Sequence, residues 1–252
     1  MQILDVLSIL GALAWVPPII SLFIKISKRP KISIFSNKQL EVGYTSFGPI
    51  LNVNLAFLGE NKNVLVNKME LQLIHENNET QHFTWEWFEE IMLQTDSPGG
   101  PIPHRKNQQA IAIKIEKDQL VEKKIGFHQN NFKAEDNKLR KEVIENYLNI
   151  LKNNQEISQL KITNPYNQLV DHYKNDFGWR IGVYTVVIKL YILEKKIPFE
   201  HKFKFQLDNI DVRALETNIN LCMSLVEKDF VNSDKELKGN WVWRNPNQIS
   251  IY

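Results

Sequence analysis

From Lys31 onward, apolar residues fall mostly at every second position, and that period confines the chain to half-buried strands. Leu51, Val53, Leu55 and Phe57 alternate with Asn52, Asn54 and Ala56; Met69, Leu71 and Leu73 alternate with Lys68, Glu70 and Gln72. Successive side chains of a strand point to opposite faces, so each run predicts one face on a core and one toward water. Turn residues at 59–63 and 76–79 separate the runs, and the second turn leads to Phe83, Trp85 and Trp87 on one predicted face. Beyond a Pro/Gly-rich stretch at 97–103, Ile111, Ile113 and Ile115 predict a further strand. Val183 to Ile192 leave neither face polar, as expected of a central strand, and Phe199, Phe203, Phe205 and Leu207 alternate again.

The period changes twice. Between about 134 and 152, Leu139, Val143, Tyr147 and Leu151 recur every four residues, with Lys138, Arg140, Glu142 and Glu145 between them, which predicts an amphipathic helix. Val212, Leu215, Ile219, Met223 and Val226 predict a second helix, with Asp208 as its cap and Asp211 three residues later. Six or more strands joined by short turns predict a mainly β fold, an antiparallel β-sandwich spanning 32–252 with a helical insertion at about 134–175 and a C-terminal helix. The segment from Trp179 to Val187, a turn, and Pro198 to Phe205 resembles the last two strands of immunoglobulin-like or fibronectin-like domains. Gly182-Val183-Tyr184 is similar to the Gly-x-Tyr of their penultimate strand. The cysteine pair of such domains is missing, and the resemblance names an architecture that hosts many functions.

Ahead of the strands, the 19 residues Val6 to Ile24 carry no charge and are apolar on all sides of a helix. At the helical rise they would reach roughly 28 Å, near the hydrocarbon thickness of a bilayer. The expectation is one N-terminal transmembrane helix at 6–24 after a short tail at 1–5, in which neighbouring groups tolerate Pro17 and Pro18. A cleaved signal peptide and a buried helix are the alternatives. A signal peptide carries its basic residues before the apolar core; here Asp5 precedes it, and Lys25, Lys28, Arg29 and Lys31 follow. Those four residues form the expected membrane junction and place the larger part on the cytoplasmic side of a single-pass protein of the cell membrane. The lone cysteine, Cys222, which cannot form an intrachain disulfide, agrees with that side.

The chain has 31 Lys and Arg against 29 Asp and Glu. Setting aside Asp5 and the four junction cations leaves 27 basic and 28 acidic residues, so the remainder is balanced. That balance speaks against nucleic acid as a partner.

Catalytic and metal signatures are not assembled in the sequence, and no cofactor motif is legible. Asp171 adjoins His172, the wrong spacing for an acid that orients a histidine base; no Gly-x-Ser-x-Gly elbow is present, and Cys222 sits within an apolar helical stripe. His75 and His82 flank one turn without a third ligand in sight, and close Cys/His pairs are missing. His201, between Phe199 and Phe203, reads as a buried histidine held by one hydrogen bond. Ser97 to Pro101 lacks the Lys and Ser/Thr of a phosphate loop and reads as a rigid surface loop. Near the end, Trp241, Trp243 and Arg244 suit either an added edge strand or a contact with a partner.

These readings weigh against an enzyme. The expected function is a membrane-anchored binding or sensor module that recruits a protein partner, contacting it through 41–49, 97–105 and Trp241–Arg244. The alternative is a homo-oligomer that perturbs the lipid bilayer through its 6–24 span.

Overall fold

A computed structural model describes residues 16–27, 29–95, 100, 102–193, 195–231 and 239–249. Its strands are β1 (Lys31–Thr45), β2 (Gly48–Glu60), β3 (Val64–His75), β4 (Thr80–Thr95), β5 (Ile102–Gln109), β6 (Ile113–Ile115), β7 (Leu120–Gln129), β8 (Gly182–Ile192), β9 (Lys195–Leu207), β10 (Trp243–Arg244) and β11 (Gln248–Ile249). The helices are α1 (Val16–Ser27), α2 (Asn130–Lys152), α3 (Asn164–Asn175) and α4 (Asn209–Phe230), with a 3-10 turn at Ile157–Ile162.

Hydrogen bonding joins the strands into one sheet, in the order β10-β1-β2-β7-β4-β3-β8-β9-β11, with β5 added to β4 and β6 to β3. All named strand pairs are antiparallel. The expected pair of separate packed sheets is therefore corrected: this is an antiparallel half-barrel. The reason lies in β4, which pairs β3 through Thr80–Thr84 and β7 through Phe83–Phe88, bridging what a sandwich would keep apart. Irregular registers at Ser36/Leu40, Val66/Lys68, Trp85/Trp87 and Leu190/Ile192 supply the local twist that lets a long sheet curl. The curl brings β1 back to β9 and β11. There Ser36 Oγ lies 2.9 Å from His201 Nε2 and donates to Gln248 Oε1 at 2.7 Å.

The concave face carries the core. Leu51, Val53, Leu55 and Phe57 are buried in the phase their alternation requires, as are Met69, Leu71 and Leu73. Each such side chain contributes about 1.5–3 kcal/mol by leaving water. β8 lies between β3 and β9, which accounts for its lack of a polar face. Two phase expectations change. The register shift after Trp85 reverses the alternation, so Phe88 is buried, while Trp87 packs against Gly126. Ile111 sits in a bend outside the strand and is 77% exposed.

Helices close the open side. α2, expected from its period over 134–152, packs against β2, β4 and β7, and α3 packs against both α2 and α4. α4 opens with a reciprocal capping box between Asp208 and Asp211 and covers β1 and β9.

The transmembrane helix at 6–24 is also corrected, and with it the single-pass membrane assignment. Residues 6–15 lie outside the described residues. The described remainder, 16–24, belongs to α1, which is described over Val16–Ser27. Among the described residues, no helix is long and apolar enough to cross a membrane.

Candidate functional site

At the end of the sheet where α2 departs from β7, several polar side chains converge around a cleft of about 680 Å³. Glu79 and Gln81 come from the β3–β4 turn and the start of β4; Gln129 ends β7; Asn131 and Glu135 open α2. His172, Lys174 and Asn175 end α3, and Asp176 to Arg180 supply the rim that leads into β8.

His172 forms part of the wall. Its ring stacks on Phe132 with centroids 4.1 Å apart, and Nδ1 donates to Asp176 Oδ2 at 2.6 Å. Asp176 is the C-cap of α3, so the spacing of four that ends the helix also sets the imidazole's tautomer. The sequence-adjacent Asp171 is exposed and takes no part in that pairing. His172 Nε2 is buried and makes no hydrogen bond. With that nitrogen covered, the imidazole forms part of the cleft wall.

The rim is fastened at each residue. Gln81 Nε2 donates to the Gly178 carbonyl at 2.8 Å, and Trp179 Nε1 donates to the Gly43 carbonyl at 2.9 Å. Phe177 meets Tyr44 edge-on at 5.1 Å. Tyr184 accepts from the Arg180 amide at 2.6 Å and donates to the Arg180 carbonyl at 3.0 Å. Burial pushes the Tyr184 phenol up to about 12. Gly178 has φ +77 and lies against Pro49. On the outside, Arg180 pairs with Glu79 at 2.8 Å, both more than half exposed.

Beneath the cleft lies a partly buried ionic network. Tyr173 donates to Asp136 Oδ1 at 2.6 Å and accepts from Arg140 Nη2 at 2.9 Å. Arg140 Nε also reaches Asp136 Oδ2 at 3.0 Å, and Nη1 reaches Asp229 at 3.1 Å. Burial, then the Asp136 hydrogen bond, holds the Tyr173 phenol well above its usual range. Burial alone would lower the Arg140 guanidinium, but Tyr173 and Asp136 hold it above its usual value. The network ties α2, α3 and α4 together, so the α3 end of the cleft is fixed from below.

Phe47, in the β1–β2 turn, is 57% exposed and stacks on His128 at 5.8 Å. The next residue, Gly48, has φ +80, and the Phe132 ring fills the space a Cβ would take, 2.4 Å away. Phe132 thus supports the turn that presents Phe47 and also backs His172.

The other expected site residues lie elsewhere. Trp243 and Arg244 add an edge strand to β1, and Trp241 packs against the core. Asn218, buried on α4, holds both the amide and the carbonyl of Val242 at 2.8 Å, and Arg244 pairs with Asp211 at 2.6 Å. Stretch 41–49 is a hairpin turning at Ser46 and Phe47; of 97–105, Gly100 and β5 from Ile102 are described. Lys31 pairs with Glu60 at 2.8 Å, Arg29 is exposed, Lys25 lies in α1, and Lys28 lies outside the described residues. His75 and His82 are not brought together as a pair: His75 Nε2 lies 3.1 Å from the Ile181 carbonyl, and His82 is exposed opposite Gln72. Among the described residues, no group of three or more His, Cys, Asp or Glu could hold a metal ion. A second cavity of about 560 Å³ spans β1, β2, β4, β5 and β7. Its cations are already engaged: Arg105 with Glu89, Lys123 with Glu90 and Lys124 with Glu41.

No protein-family model matches this sequence, and no curated protein matches it either. Among solved structures, a family 123 glycoside hydrolase from Clostridium perfringens is similar at 11% identity and TM-score 0.34, over 71% of this chain and 27% of that one. Spo0M, a sporulation control protein from Bacillus subtilis, is similar at 10% identity and TM-score 0.29, over 72% of this chain and 50% of that one. The chain thus spans about a quarter and a half of the lengths of these two structures.

Proposed function

We propose that this chain is a non-enzymatic binding module that holds an extended peptide segment of a protein partner across the His172 cleft, with Phe47 as a neighbouring anchor. The observation that carries this reading is the lining of the cleft. Gln81, Gln129, Asn131 and Asn175 offer amide donors and acceptors, the complement of a peptide backbone. Three carboxylates, Glu79, Glu135 and Asp176, stand against Lys174 and Arg180, so the cleft has no cationic excess to favour a phosphate. The aromatic rings lining it, Phe132, Phe177 and Trp179, are buried, which leaves no open face for a sugar to stack on. The pinned rim limits the ordering cost of binding. An exposed aromatic beside a polar groove is a usual energetic anchor of a protein interface.

The test is selection of peptides from a random display library on the full chain, followed by fluorescence anisotropy with the best peptide. Phe47→Ala, Asn131→Ala and Asn175→Ala each alter an exposed side chain, and each should weaken binding roughly five- to tenfold. Selection of no peptide, or of peptides indifferent to all three variants, would overturn the reading.

A further inference from the structure

Helix α2 presents a second surface, away from the cleft. Its core-facing side is Phe132, Leu139, Val143 and Ile150, all buried. On the outer side, Ile144, Leu148 and Leu151 are 46%, 57% and 42% exposed. Spaced by four and three, they form one apolar stripe two turns long on a helix that is otherwise polar outside. Beside the stripe, on one flank, stand Glu145 and Lys152, both exposed and neither engaged in an ion pair among the described residues.

We infer that this face pairs with the same face of a second copy, the two α2 helices running antiparallel about a two-fold axis near Leu148. Symmetry and charge single out that occupant. An isologous contact places a surface against itself, and for antiparallel helices facing residues on the same flank lie about equally far on opposite sides of the axis, their sequence numbers summing to a constant to within about one residue. With the axis at Leu148, Leu148 meets its own copy and Ile144 meets the partner's Leu151. The same operation brings Glu145 to the partner's Lys152 and Lys152 to the partner's Glu145, because antiparallel packing faces like flanks. One stripe thereby closes on itself with two symmetric ion pairs, whereas a parallel pairing would face unlike flanks and leave Glu145 and Lys152 apart. The apolar seam supplies the association, and the flanking charges set its direction. This inference stands apart from the cleft, whose residues it does not use.

The test uses the full chain with single cysteines introduced on α2. Leu148→Cys, on the axis, should oxidise to a disulfide-linked dimer at micromolar protein, while Asn149→Cys, exposed on a different face of the helix, should not. The native Cys222 is buried and stays silent. In the Leu148→Cys background, Glu145→Lys alone and Lys152→Glu alone should each slow cross-linking roughly fivefold, since each creates two like-charge contacts by symmetry. The two together should restore it. Equal cross-linking at positions 148 and 149, no cross-linking at 148, or failure of the double exchange to recover the rate would each overturn the proposal.

Discussion

Trp243 covers Gly43 so closely that a Cβ on Gly43 would stand 2.2 Å from the indole Cζ3. The contact is made across the β1–β10 pairing, in which Gly43 and Trp243 are register partners. It explains why this residue type occupies the middle of β1 and how the C-terminal segment gains a fixed seat.

Gly43→Ala should therefore displace the indole and destabilise the fold by about 1–3 kcal/mol, as overpacking does. Chemical denaturation followed by tryptophan fluorescence would read both effects. Unchanged stability with an unshifted emission spectrum would show that the seat has more room than the geometry gives it.

Asn218→Leu should release the same segment from the other side. It removes the bonds to both backbone groups of Val242 while keeping the same branched side-chain skeleton at a fully buried position. The expected cost is about 1–3 kcal/mol. Hydrogen exchange should quicken at Val242 and leave the β2–β7 ladder unchanged.

Arg140→Met should be the most damaging single change in the helical layer. It leaves Asp136 buried without its cation, a loss of about 3–5 kcal/mol. Asp136→Asn combined with Arg140→Met should recover part of that loss, because the uncompensated charge is gone. Urea melts of the three variants would separate the charge penalty from lost packing.

The chain should lose stability on mild acidification. Burial holds both His128 and His201 below the ordinary imidazole range. Below the unfolded value of about 6.5, the unfolded chain takes up protons that the folded one resists, so stability is full above that pH and falls beneath it. Thermal melts between pH 7.5 and 5.5 should show the decline, and His201→Gln should flatten it.

The sequence made much of the sheet legible. Leu51 to Phe57 and Met69 to Leu73 obey a period of two because one side of each strand lies on the core. The α4 start was legible because Asp208 and Asp211 form a local motif. Trp87 was misplaced because a bulge shifts phase without a sequence signature. The cleft was hidden for a different reason. Gln81 and Gly178 are 97 positions apart, and their bond depends on how the sheet curls. The pairing of His172 with Asp176 had a local signal, a spacing of four at a helix end, that the neighbouring Asp171 obscured.

The cleft as the peptide-binding face is tested most directly by hydrogen–deuterium exchange on the full chain with and without the selected peptide. Bound peptide should slow exchange at 44–48, 79–82, 129–135 and 174–181, leaving β5 and α4 unchanged. Protection confined to other segments, or none at saturating peptide, would contradict the assignment.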